Sequence, residues 1–565
     1  MSVKRPENRE LISTNLDETM IVEAAAGTGK TTELVGRIVA LIKHERARIG
    51  EIVAVTFSEK AAGELKLRLR EELERARAGA PGGGPELARL AQAVYDFEDA
   101  HVSTIHGFCA ELLRERPVEA RVDPAFTVLT ETQADRIFDE AFTTWLHEQL
   151  AHPGEGVRRS LRRPVGWRPD EDEGNGPIHR LQRAARDLRE WRDHESAWTR
   201  PSYDRHVAIK TLMEQLRVFA EMTEKPLKKG DNLSNDTRAA RTASREIERQ
   251  RRAVGDMVPE TVYDGWEAAL TALADDRNFA KPRKGSGGAF ALGVTREQTL
   301  ADHAQLLVDL KRFRDDANAD LAALLREEMR DCMRRYEDRK TEAGALDFLD
   351  LLIKARDLVR DDGEVREQFR RRFRVLLVDE FQDTDPLQAE LLFLLAGEEA
   401  GKGTRGAAGL RPGALFIVGD PKQSIYRFRR ADVGAYRRIS DELDKAGATP
   451  VTLQTSFRSV PAIQRFVNAA FRPDMTGDRE SLQADYVPLA ARREEHASQP
   501  AVVALPVPRP YGRRDVTQGA LAESQPPAVA EFVKWLLSEA CPWTVADGSG
   551  GTSASDVRRK IVASD

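Results

Sequence analysis

From residue 21 the chain reads Ile-Val-Glu-Ala-Ala-Ala-Gly-Thr-Gly-Lys-Thr-Thr, an apolar run that breaks into a glycine loop and then into a helical pattern over residues 32–43. A second apolar run covers 51–57, and residues 59–77 alternate alanine and charged faces at helical spacing. Strand, helix, strand, helix is the order of a parallel sheet. A glycine-proline break at 80–85 precedes the next helix, and residues 100–109 lead into another. Between about 124 and 345 the pattern changes to long, arginine-rich helical stretches, interrupted at 168–176 and 281–288 by segments that read as flexible loops. Most of those charges read as solvated helix faces. Apolar runs of sheet character return at 373–379, 414–420 and 450–453. A glycine-rich, hairpin-like segment is expected at 401–413, a low-complexity stretch occupies 548–555, and 557–565 reads as the start of a strand. The expected fold class is α/β, a parallel sheet with helices on both faces and a large α-helical domain inserted into it.

Composition narrows this picture. At 565 residues the chain exceeds a single hydrophobic core, so several domains are expected. The 87 Lys and Arg against 93 Asp and Glu leave a net charge of -6, which confines any nucleic-acid site to a local basic groove on a mildly acidic body. Cys109, Cys332 and Cys541 lie far apart with no C-x-x-C spacing, which argues for a reducing cytoplasm and against a zinc or iron–sulfur site built from this chain alone. There is no run of eighteen apolar residues and the first residues lack the apolar core of a signal peptide, so a cytoplasmic protein with no membrane segment is expected.

The loop Ala24-Ala25-Ala26-Gly27-Thr28-Gly29-Lys30-Thr31 follows the phosphate-binding pattern G-x-x-x-x-G-K-[ST] except that Ala24 replaces the first glycine. Backbone N–H groups there converge at the positive end of the following helix, which begins through Thr31 and Thr32, and Lys30 adds a cation. The Thr31 hydroxyl is a candidate ligand for Mg2+, and the nucleotide is expected to be ATP. The run ending at Val378 delivers Asp379 and Glu380 to the carboxyl edge of the sheet, where such folds place their ligands. Asp379 suits a metal ligand and Glu380 a base for the attacking water, although two acids after a strand also serve as a helix cap. After the next run, Gln423 can reach the same cleft, and Tyr426 and Phe428 alternate with Arg427, Arg429 and Arg430. Rings among arginines suit a single-stranded nucleic acid, and they equally suit a core.

GTGKTT, VTFSEKAAGELKLRLR, VSTIHGFC, DFLDLL, VLLVDEFQDTDPLQ, FIVGDPKQSIYRFRRADV and LQTSFRS occur in the order found in the UvrD/Rep family of superfamily 1 DNA helicases, and TIHGFC, DEFQDTDPLQ and VGDPKQSIYRFR look most like its RecB/AddA branch. The resemblance implies an ATP-driven motor that moves 3′ to 5′ on single-stranded DNA, with two RecA-like domains around one ATP. It assigns phosphate and Mg2+ to Lys30 and Thr31, metal to Asp379 and the attacking water to Glu380. Gln382 and Gln423 would couple the γ-phosphate to DNA, Phe457 would stack on adenine, and Arg458 would meet the γ-phosphate. Thr56, Phe57, Thr104, His106, Tyr426 and Phe428 match positions that line the DNA path, with Phe428 in place of a tryptophan. Asn8 stands where the family often has an adenine-reading glutamine.

The implied division is a first RecA-like domain from 1–123 and 346–480, an inserted helical domain from 124–345, and the start of a second RecA-like domain from 481–565. The family's later motor motifs and a C-terminal nuclease signature are not found within the sequence. The expectation is therefore the N-terminal portion of a RecB/AddA-like helicase that acts on duplex DNA ends in break processing, with a helicase–nuclease partner subunit. The alternative is an ATP- and single-stranded-DNA-binding fragment with weak turnover.

Overall fold

The computed structural model describes residues 9–163, 176–194, 196–228, 230–255, 257–285, 287–398, 409–425, 433–477, 483–484, 486–495, 499–505, 517–546 and 558–563. The chain divides into two compact units, one from residues 1–112 and 355–565, the other from 113–354.

The first unit is built on a six-stranded sheet: β1 Met20–Ala24, β2 Ile52–Thr56, β3 His101–Thr104, β4 Val375–Val378, β5 Leu415–Gly419 and β6 Thr449–Leu453. Their spatial order is β6-β1-β5-β4-β2-β3, and every neighbouring pair is parallel. The inner strands β2, β4 and β5 are buried along their whole length because helices cover both faces, and a continuous apolar run needs that environment. Residues such as Val22, Ala54, Leu377 and Phe416 pack with Leu34, Ile38, Leu65 and Leu69 from the helices Lys30–Lys43 and Glu59–Gly79. Register pairs Val22 with both Val418 and Val451, Val55 with Val378, and Thr56 with Thr104, so the strands end along one common edge.

The expected 51–57 run is shorter as a strand. Residues Ile49–Glu51 form a 3-10 turn in which the Glu51 carboxylate accepts the Arg48 N–H, and pairing begins only at Ile52. The first helix starts at Lys30, with the Lys-Thr pair in its first turn, just ahead of the 32–43 pattern. Most of the 401–413 segment and all of 548–555 lie outside the described residues; Leu410 bridges to Gly397. Near the end of the sequence, Arg558–Lys560 pairs antiparallel with Thr544–Ala546.

The second unit is helical, and its charges are less solvated than the sequence pattern suggests. Arg159 is buried and donates to Asp320 at 2.6 Å and Glu267 at 3.3 Å, while Arg205 donates to Glu267 at 2.6 Å and Asp264 at 2.7 Å. The 281–288 segment, expected as a flexible turn, is tied down by Arg283 on Asp236 and by Arg296, which donates to the carbonyls of Lys284 and Gly287. A further buried group joins Arg192 to Asp347 at 2.5 Å and Asp350 at 2.7 Å, with Lys340 on both acids and the Tyr336 hydroxyl donating to Asp347 at 2.7 Å. Burial alone would raise the Asp347 carboxyl, but Arg192 and Lys340 outweigh it and hold the group well below the usual carboxylate range.

Asp347→Asn leaves Arg192 and Lys340 under-compensated, so a loss of about 3–5 kcal/mol in unfolding free energy is expected. Because the folded carboxyl sits below its unfolded value, its contribution is present above about pH 4 and fades only as pH falls toward the folded value. Denaturant titrations should therefore show a constant gap between wild type and variant from about pH 5 to 8, narrowing only in stronger acid.

Candidate active site

The loop after β1 owes its path to two glycines. Gly27 has φ +75 and Gly29 φ +88, left-handed values that a side chain resists. A Cβ on Gly27 would come within 2.6 Å of Arg458 Cβ, because the strand end after β6 crosses over the loop and Phe457 N–H donates to the Gly27 carbonyl at 2.8 Å. Within the loop, Thr28 is buried and its hydroxyl donates to the Ala25 carbonyl at 2.7 Å. Ala24 ends β1 and is buried, and Ala26 is exposed at the crown of the turn. Gly29 caps the helix whose first turn carries Lys30, Thr31 and Thr32.

The parallel register brings the end of β4 beside this helix start. Lys30 Nζ lies 2.5 Å from Glu380 Oε2 although 350 residues separate them in sequence. Glu380 itself is held at φ 53, a left-handed backbone that is uncommon for a residue with a side chain and typical of sites where geometry is imposed. Asp379 Oδ1 accepts the Glu380 N–H at 3.0 Å. Burial, then the neighbouring Glu380 charge, pushes the Asp379 carboxyl up to about 6, with Lys30 acting in the opposite sense. Asp383 is pushed up to about 6 by the same two causes.

From Glu380 a chain of hydrogen bonds runs to the next strand end. Gln382 Nε2 donates to Glu380 Oε2 at 2.8 Å, and Gln382 Oε1 accepts the Asp420 N–H at 2.8 Å. The buried Asp420 carboxylate accepts from Gln423 Nε2 at 2.7 Å and pairs with Lys422 at 2.9 Å. Glu380, Gln382, Asp420 and Gln423 thus form one connected line along the sheet edge. Asp420 and Lys422 were not singled out from the sequence, although they stand in the same GDPKQ run.

Two other contacts have no counterpart in the motif reading. Arg9 donates to the Thr28 carbonyl at 3.0 Å, pairs with Glu33 at 2.5 Å and sits 5.1 Å from the Phe457 ring centre. Arg492 lies 5.2 Å from the same ring, brought there because Ser456 pairs with Ala491. Phe457 is 37% exposed and Arg458 is also exposed, so both border the loop on its solvent side.

The expected DNA-path residues fall into three groups. Phe57 and His106 are half-buried at the carboxyl ends of β2 and β3. Thr56 and Thr104 are buried at 3% and 5%, and the Thr104 hydroxyl donates to Glu59 at 2.7 Å. These two side chains are covered, whereas Phe57 and His106 are partly open to solvent. Tyr426 and Phe428, with Arg427, Arg429 and Arg430, lie outside the described residues, as does Asn8.

The arrangement can be tested against the groups it is expected to hold. Thr31 and Asp379 offer hydroxyl and carboxylate oxygens, the hard donors that Mg2+ takes, and the glycine turn at a helix start with Lys30 suits a polyphosphate. The residues fit both.

The sequence pattern of the UvrD/REP helicase N-terminal domain matches residues 5–444. The chain belongs to the UvrD/REP helicase family. It is similar to the A subunit of the ATP-dependent helicase/nuclease of Natranaerobius thermophilus, with 26% identity over 503 residues, 84% of this chain and 38% of that protein. The protein of the same name from Listeria monocytogenes is 25% identical over 519 residues, 83% of this chain and 39% of its own length. The one from Bacillus licheniformis is 26% identical over 539 residues, 86% and 41% respectively. The chain therefore spans about two fifths of the length of these relatives. Among the described residues no helix is long and apolar enough to cross a membrane. In this UvrD/REP family member the glycine loop, the paired acids and the glutamine line all lie within the matched region.

Gly27→Ala is expected to destabilise the fold by about 1–2 kcal/mol from the left-handed backbone alone, with more from the clash at Arg458. The loop would have to shift, so a nucleotide titration by calorimetry should show weakened binding in a protein that still melts cooperatively.

Proposed function

We propose that the chain is the N-terminal motor portion of an ATP-dependent DNA helicase that translocates 3′ to 5′ on single-stranded DNA and acts on duplex ends in repair and recombination. The reading takes 1–123 with 346–480 as the first RecA-like domain, 124–345 as its helical insertion and 481–565 as the opening of a second. It extends to work in the cytoplasm beside a partner subunit, which accords with the relatives being named as one subunit of a helicase/nuclease. The observation that carries it is the meeting of Lys30 with Glu380 at 2.5 Å, with Gln382 linking Glu380 to the Asp420–Gln423 turn.

In this reading Lys30 leaves Glu380 for the β- and γ-phosphates of ATP, since a polyphosphate offers it more charge than one carboxylate. Glu380 is thereby freed to accept a proton from the water that attacks the γ-phosphorus; the new P–O bond forms as the bond to the β-phosphate oxygen breaks. Thr31 and Asp379 would hold Mg2+, which when bound neutralises charge on the phosphate oxygens. Gln382 donates to the same Glu380 oxygen that pairs with Lys30, so a change at either is transmitted to Asp420 and Gln423. Phe457 offers a face for adenine and Arg458 a cation for the γ-phosphate. The exposure of these two residues supports a second reading for the 565 residues by themselves, in which ATP and single-stranded DNA bind but turnover is slow.

Lys30→Ala should weaken Mg2+-ATP binding strongly, because the loop loses its cation; equal affinities by calorimetry would sink the assignment. Glu380→Gln should retain ATP affinity and abolish DNA-stimulated hydrolysis, a split that belongs to a group needed only in the transition state. Strand displacement on a duplex with a 3′ overhang separates the two readings: the isolated chain is expected to bind both ligands without unwinding, and robust unwinding would retire the slow-turnover reading.

A further inference from the structure

Between the ends of β2 and β4, beneath the line of acids, lies a cavity with about 20 Å3 of space open to the centre of a water molecule. Thr56, Phe57, Asp379, Glu380 and Asp383 are among the residues that line it. Two polar atoms in its wall are buried and make no hydrogen bond with the protein, Thr56 Oγ1 and Asp383 Oδ1. The other Asp383 oxygen accepts from Gln382 Nε2 at 3.3 Å, the same nitrogen that serves Glu380. Buried hydroxyl and carboxylate oxygens are rarely left without partners, and a space of this size lined by two such oxygens has room for one water.

The position of Thr56 gives such a water a consequence. Asp379 N–H donates to the Val55 carbonyl at 2.9 Å, which sets Thr56 beside the acid pair, and on its other side Thr56 is in register with Thr104. Phe57, the next residue, is half-buried at the edge. A hydroxyl at position 56 thus lies between the strand end that carries Phe57 and the carboxylates beside Lys30.

We propose that this cavity is a single-water site bridging the Thr56 hydroxyl to the Asp383 carboxylate, and that Thr56 is a positioning residue that couples DNA contact at the ends of β2 and β3 to Glu380. The Thr56 hydroxyl donates to or accepts from the water, the water donates to Asp383 Oδ1, and Asp383 shares Gln382 with Glu380. A displacement of the β2 end by a bound strand would then reach Glu380 through hydrogen bonds without any side chain crossing the cavity. The coupling rests on the helicase reading above; the water site does not.

Two measurements on the full 565-residue chain decide the matter. A crystal structure that shows ordered solvent is expected to place one water within about 3.2 Å of both Thr56 Oγ1 and Asp383 Oδ1. A dry cavity, or a Thr56 hydroxyl bonded directly to a protein carbonyl, overturns the site. For the coupling, anisotropy titrations measure single-stranded oligonucleotide affinity with and without Mg2+ and a non-hydrolysable ATP analogue. Thr56→Val keeps the shape and removes the hydroxyl, and it is expected to shrink the nucleotide-dependent change in DNA affinity at least about threefold, with Thr56→Ser restoring it. A role in packing alone would lower the melting midpoint and leave that ratio intact. Thr56→Ala serves in the same way should the valine variant fold poorly. A full ratio in the hydroxyl-free variant overturns the coupling. A wild-type chain whose DNA affinity ignores nucleotide overturns the coupling together with the helicase reading, and the solvent structure still judges the water site by itself.

Discussion

Every strand of the six-stranded sheet points the same way, and that single constraint assembles the site. Parallel strands end at a common edge, so a loop that follows residue 24, acids that follow residue 378 and a turn that follows residue 419 must meet there however far apart they are in sequence. The Lys30–Glu380 pair is the direct product. Its electrostatics show a site held under tension: three acids, Asp379, Glu380 and Asp383, share the charge of Lys30, and burial raises two of them to about 6. The left-handed backbone at Glu380 adds strain at the same point. In the proposed function a ligand that brings negative phosphates and a cation would redistribute these charges, and Gln382, bonded to Glu380, would pass the change toward Asp420 and Gln423.

The helical unit solves a different problem. Its sequence is rich in arginine, and several of those guanidinium groups are buried. Most are matched by carboxylates from distant helices, as with Arg159 between Asp320 and Glu267 and Arg192 between Asp347 and Asp350, while Arg241 donates to the Ser234 carbonyl and the Thr237 hydroxyl. Buried charges without partners are strongly unfavourable, so these networks specify which helices pack together more than they add net stability. The motif DFLDLL belongs to this logic: Asp347 and Asp350 cap one another's backbone, each accepting the other's N–H at 2.9 Å, while they neutralise Arg192 and Lys340.

The α/β class, the glycine loop and the position of the acids at the sheet edge are legible in the amino-acid order, because these are local signals: apolar runs of strand length, closely spaced glycines and a Lys-Thr helix start are written in consecutive residues. Five of the six strands lie where apolar runs occur, within a few residues, since burial on both faces of the inner strands demands that composition; β3, His-Val-Ser-Thr at the sheet edge, is mostly half-buried and carries no such run. The remainder depends on how distant segments pack. Nothing in the segment around Thr56 says that its hydroxyl is buried against an acid cluster, because that depends on β4 inserting beside β2 from more than 300 residues away. Arg9 and Arg492 reach Phe457 only through the close approach of separate segments, and Asp420 becomes a hub only once Gln382 lies against it. The arginines of the helical unit read as solvated for the same reason: periodicity reports which side of a helix is apolar, but whether a charge on the other side meets water or a carboxylate is settled by which helix packs there.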